Sequence, residues 1–326
     1  MRNRFEMPST DKSKMLFLKL FFFTVFLNLL IVLPLQAQPY YQGAETCKSC
    51  HEAEYEVWGA TKHFESFREV YRKPLAKEIL AAVGGEANMR THAACTLCHF
   101  TVAQESADAK PRAGSGPSCE SCHGASSEWL KVHNDYGGPS VNRATETPEH
   151  KLDRVGKASA NGMIWPDRHY DLASKCMTCH GLTHPELDGE TVGKMLDAGH
   201  PLKSEYEFVQ YSQGSVRHRF YPPAVAVNAE MTPEELARFF VAGQAAKLVS
   251  ATEALTKSSH EGYVKAQNQR LAEAQSALRA LASVPEAAVL LDAPTEENAR
   301  KLTEAIKNQN LTPEIGSLLP DPSTYK

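Results

Sequence analysis

The chain has 326 residues, 42% of them hydrophobic and 23% charged. Those proportions are globular and exclude a collagen-like, disordered or many-span membrane chain. Lys and Arg number 35 against 39 Asp and Glu, a net charge of −4, so there is no basic field for nucleic acid.

At the N-terminus, Arg2, Arg4, Lys12 and Lys14 precede an apolar run from Met15 to Leu33, which Lys19, Thr24 and Asn28 interrupt. Its uninterrupted length falls short of the roughly 20 residues a membrane span needs. With Leu35-Gln36-Ala37 behind it, this reads as a signal peptide over residues 1–37, cleaved after Ala37. The expected location is therefore the periplasm or the cell exterior. An uncleaved anchor is the alternative, and the only membrane contact the sequence offers.

All eight cysteines fall into four copies of Cys-x-x-Cys-His: Cys47/Cys50/His51, Cys95/Cys98/His99, Cys119/Cys122/His123 and Cys176/Cys179/His180. Two thiols at this spacing add across the two vinyl groups of one haem, and the adjacent histidine lies under its iron. Zinc also uses paired cysteines but needs no histidine after each second one. The expected cofactor is heme c, four per chain, covalently attached.

Nine further histidines are candidates for the opposite faces of the irons. Motifs 1 and 3 are followed by similar segments, with Ala53 and Ala125, Glu56 and Glu128, Trp58 and Trp129, then His63 at +12 and His133 at +10. Both segments lack proline and predict helices leaving the haem, with the two tryptophans packing on porphyrin. A helix of that length rises about 18 Å, so His63 and His133 should serve other haems. His200, in Asp197-Ala198-Gly199-His200-Pro201, and His218, in Arg217-His218-Arg219, follow the last motif. Either can supply a remaining ligand. No histidine lies at +10 to +12 after His99, so a sixth ligand for haem 2 must come from afar. His92 and His169, shortly before Cys95 and Cys176, fall on the proximal side and are poor distal candidates, and His150, His184 and His260 read as ordinary surface histidines. The methionines show no repeated spacing, which favours bis-histidine haems of low potential.

Residues 43–225 resemble the tetrahaem cytochrome c-554 family, whose type member accepts electrons from hydroxylamine oxidoreductase. The resemblance rests on motif 1 with His63, on Cys119-Glu120-Ser121-Cys122-His123-Gly124 with His133, on the fourth motif and on a late histidine. It implies that His133 is the sixth ligand of haem 1, His63 that of haem 3 and His218 that of haem 4. It also implies a five-coordinate haem 2. The segment around His200 departs from that pattern, and His200 could close haem 2 or serve haem 4.

Few apolar residues lie between the motifs, so the porphyrins must act as core. The expected fold is mainly α with extensive loops, a multihaem cytochrome c module over residues 38–225. Beyond it, Thr232-Pro233-Glu234-Glu235 is a capping box. It opens a helix with Leu236, Phe239, Phe240, Leu248 and Leu255 on a stripe. A second helix is expected over 261–281 and a shorter one after Thr295, making a C-terminal helical extension over residues 226–326. Closely spaced haems point to an electron carrier working between redox protein partners, rather than an enzyme. The alternatives are a nitrogen-oxide or hydroxylamine reductase acting at an open haem 2, and a subunit of an extracellular cytochrome filament.

Overall fold

The computed structural model describes residues 38–326 except Ala87, and the signal-peptide reading of residues 1–37 lies outside them. The fold is mainly helical with long loops. Motif 1 straddles α1 (Glu45–Lys48) and the start of α2 (Glu52–Gly59). The sequence predicts one helix onward to His63. The structure instead stops α2 at Gly59 and starts α3 (Lys62–Glu69) from Thr61, whose hydroxyl accepts from Phe64 N at 3.2 Å. A threonine N-cap satisfies an otherwise orphaned amide and re-aims the chain. His63 thus sits in the first turn of a second helix.

After α4 (Ala76–Ala82), α5 (Ala93–His99) carries motif 2. A two-stranded antiparallel hairpin, β1 (Thr101–Ala103) and β2 (Arg112–Ser115), then turns the chain back into α6 (Cys119–His123), which is motif 3. The Thr101 hydroxyl locks the return, donating to Gly116 O at 3.0 Å and accepting from Ser118 N at 3.1 Å. The helix expected to run on from motif 3 also ends early. Gly124 has φ +89°, and a Cβ there would lie 2.2 Å from Gly162 O. Only glycine fits such a left-handed, crowded position. The chain resumes as α7 (Leu130–His133) and α8 (Pro148–Ala160).

Motif 4 closes α9 (His169–His180). Then come α10 (Gly189–Asp197) and α11 (Phe208–Ser212). In the C-terminal extension, α12 (Pro233–Ala254) has the expected capping box: Glu235 N donates to Thr232 Oγ1 at 3.3 Å, and Thr232 N donates to Glu235 Oε2 at 2.8 Å. The single stripe read from the sequence understates this helix. Residues Phe239 to Ala251 are buried without a break, because α12 packs against α9, α11, α13 (Glu261–Arg279) and α15 (Glu296–Ala305) at once. Small residues make this possible: a Cβ at Gly243 would meet Phe208 Cβ at 2.6 Å. Two further short helices, α14 (Pro285–Asp292) and α16 (Thr312–Ile315), complete the extension. Tyr170, Ala173 and Met177 of α9 belong to the same core as Phe240, Leu248, Leu278 and Leu302. Motif 4 is thereby anchored in the largest apolar core among the described residues, while Leu97 and Cys95 of motif 2 join two smaller clusters. Among the described residues no helix is long and apolar enough to cross a membrane.

Candidate functional site

The motifs surround one continuous cavity of about 2220 Å³. A pocket for a single ligand measures roughly 300–1,000 Å³, so this space suits several large groups. Its wall includes His51, His99, His123 and His180, His63, His133, His200 and His218, and seven of the eight cysteines. The eighth, Cys95, is buried beside Phe100. All eight thiols are free.

Each motif histidine faces one of the four sequence-nominated histidines across this cavity. The ring centres lie 6.3 Å apart for His51 and His133, 6.0 Å for His99 and His200, 6.3 Å for His123 and His218, and 6.2 Å for His63 and His180. Two imidazoles sharing one iron would sit about 6.4 Å apart, from about 2.0 Å per metal–nitrogen bond and about 1.2 Å from nitrogen to ring centre. The four separations fit that arrangement.

The ring orientations fit as well. Nδ1 of His123 donates to Ile164 O at 2.8 Å, and Nδ1 of His133 to Leu130 O at 2.6 Å. Nδ1 of His200 donates to Pro201 O at 2.9 Å, and Nδ1 of His218 to Val216 O at 2.6 Å. A carbonyl only accepts, so each Nδ1 carries the proton and each Nε2 keeps a lone pair for a metal. Burial holds His99, His123 and His180 neutral, with pKa values pushed down to about 4, and lowers those of His63, His133 and His200. Neutral imidazole is the ligating form. Burial also pushes the Cys95 and Cys176 thiols up to about 11. Among the described residues no three His, Cys, Asp or Glu side chains gather as a compact metal site.

The pairing differs in part from what the resemblance implies. His133 lies opposite His51, as expected. His63 lies opposite His180 of motif 4, not His123 of motif 3. His218 takes the place opposite His123. The break at Gly59–Thr61 turns α3 away from the line of α2. The His218 loop is pinned by Asn228, whose Oδ1 accepts from Arg219 N at 2.8 Å and whose Nδ2 donates to Arg217 O at 2.5 Å. His200 reaches His99 through a turn at Gly199, φ +86°, that ends α10.

Other cavity residues escaped the sequence reading. Tyr206 stacks on the His180 ring at 4.2 Å. Arg154 donates to His133 O at 2.6 Å and forms a bidentate pair with Glu146, both bonds 2.7 Å. Trp129 and the two arginines flanking His218, which the sequence reading already names, also line the wall, and their Nε groups are buried without a hydrogen-bond partner. The remaining histidines do other things: His150 bonds Glu146, His260 caps α13, His169 packs on Phe239, and His92 lies beside Cys95. The carbonyl of His184 accepts from Lys257.

Residues 46–124 match the family described as cytochrome c554 and c-prime. Cytochrome c-554 of Nitrosomonas europaea is 25% identical over 158 residues, which are 45% of this chain and 60% of that protein. The match thus spans less than two thirds of that relative. No solved structure matches.

Proposed function

We propose that this chain, a c-type cytochrome related to the cytochrome c-554 family, carries four haems c, each between two histidines, and relays electrons between redox proteins outside the cytoplasm. The four histidine pairs at 6.0–6.3 Å carry this reading. His51, His99, His123 and His180 serve as proximal ligands, with His133, His200, His218 and His63 opposite them in that order. Each haem, when bound, supplies a one-electron iron couple. The protein's task is to fix the rings, exclude water and set the order of the sites.

The sulfurs support an order of contact. The Cys47 thiol of motif 1 lies beside Cys119 of motif 3. Cys122 of motif 3 lies near Cys176 and Cys179 of motif 4, and Cys179 lies beside Cys98 of motif 2. The sequence of sites is then 1–3–4–2. Motif 1 is the exposed end: Lys48 and Ser49 between its cysteines are exposed, whereas Glu120 of motif 3 and Met177 of motif 4 are buried. That end suits electron exchange with a docked partner.

The reading favours a carrier over a reductase because the His200 ring faces His99 at 6.0 Å, where it would close haem 2 to a substrate. Intact mass of the haem-loaded protein should exceed the polypeptide by four haems, and fewer haems with free thiols would defeat the tetrahaem reading. Carbon monoxide should not bind the reduced wild type, whereas His200→Ala should bind one equivalent. Rapid binding of one equivalent by the wild type would instead restore the reductase.

A further inference from the structure

Arg270 of α13 is completely buried. Its Nη1 donates to Gln267 Oε1 at 2.5 Å, and its Nη2 to Ser250 Oγ at 3.1 Å and to Met177 Sδ at 3.2 Å. Its Nε has no partner. All three acceptors are neutral. Glu273, which acts on it at longer range, is bonded instead to Lys247 at 3.1 Å. A buried cation normally needs a carboxylate. Here the guanidinium lies against the C-terminal end of α9 at Gly181, where aligned helix carbonyls amount to roughly half a negative charge. Neighbouring side chains satisfy individual carbonyls there: Gln267 bonds Gly181 O, Tyr263 bonds Leu182 O and Thr183 bonds Met177 O, at 2.9, 2.9 and 3.0 Å. The guanidinium therefore adds net charge. Burial lowers its pKa only to about 10, so it stays charged at neutral pH.

Its position is specific. Met177 lies between the two cysteines of motif 4, and Gly181 follows His180 directly. A Cβ on Gly181 would be 2.7 Å from Nη1, so the charge presses on the back of the attachment motif. The neighbouring motif 3 holds the opposite sign, with the buried Glu120 carboxylate between its cysteines.

We propose that Arg270 sets the reduction potential of the haem at motif 4, raising it by favouring the state with one more electron, so that the C-terminal extension tunes a site it does not ligate. Reduction adds one electron at the iron and takes none from the arginine. A unit charge within about 10 Å, at an effective dielectric of about 20, shifts such an equilibrium on the order of tenfold.

The proposal rests on a haem at motif 4, and intact mass on each sample tests that separately. Spectroelectrochemical titration of the haem-loaded full chain reads the effect. In Arg270→Met, one of four components should titrate lower, with about a tenfold higher oxidised-to-reduced ratio at fixed potential, or about 59 mV for a one-electron couple. Arg270→Lys should restore it. Ser250→Asp, which keeps the arginine but places a carboxylate against it, should lower the same component. An Arg270→Met protein with four haems and wild-type midpoints would overturn the proposal. If that variant does not fold, an unshifted Ser250→Asp overturns it instead.

Discussion

Glu120 ties the segment at Gln42 and Gly43, just before motif 1, to motif 3, and its replacement by glutamine isolates that function. The side chain is 1% exposed. Oε1 accepts from Gln42 N and Ser126 N, both at 2.9 Å, and Oε2 from Gly43 N at 2.7 Å. Glutamine has nearly the same shape but one acceptor oxygen. If that oxygen keeps Gln42 and Ser126, its NH2 group faces the Gly43 N–H, donor against donor. One charge-assisted bond is lost, at about 1.5–3 kcal/mol, and the other two fall to neutral strength. The expected destabilisation of Glu120→Gln is about 2–4 kcal/mol. Glu120→Ala, which strands all three amides, should cost more. The assay is denaturant unfolding of haem-loaded protein, with an unchanged slope and a lower midpoint. Amide exchange at Gln42 and Gly43 should quicken in parallel, because these residues hold motif 1 beside motif 3. A Glu120→Gln protein within about 0.5 kcal/mol of wild type would refute the reasoning, since surface-like substitutions fall in that range.

Two other expectations follow from the cavity wall. If His63 serves the haem at motif 4, His63→Met should alter the haem spectrum, and that change should vanish in a Cys176→Ser/Cys179→Ser background lacking that haem; abolition by loss of motif 3 instead would restore the pairing implied by resemblance. Arg154 and His150 hold the Glu146 carboxylate down to about 2. A depressed carboxylate stabilises fully above its ordinary value, near 4.5, and loses that contribution as pH falls toward 2. Because Arg154 also holds His133 O, low-spin absorption from motif 1 should weaken over that range, and Glu146→Gln should flatten the response.

The chemistry was legible in the sequence, and the wiring was not. Cysteine spacing nominated four candidate attachment sites, and the motif repeat picked out His63 and His133. Position after the last motif nominated His200 and His218, which complete the set of four facing histidines. Pairing depends on where helices stop, however, and proline-free stretches concealed the stops at Gly59 and Gly124. The first is set by the Thr61 cap and the second by backbone crowding at Gly162. Neither is visible in a hydrophobic pattern. In the extension, the Thr232 capping box announced α12. The helices α14 and α16 have eight and four residues, too short for a periodic signal. Arg270 was invisible because a charged residue in a helix ordinarily reads as surface. Only packing against Gly181 shows otherwise.

The central claim, that every haem is closed between two histidines, is tested most directly by low-temperature electron paramagnetic resonance of the fully oxidised, haem-loaded protein, with spins counted against iron. Four low-spin irons and no high-spin signal are predicted. A high-spin signal integrating to one iron in four would contradict the account, leaving His200 off the iron and haem 2 open to substrate.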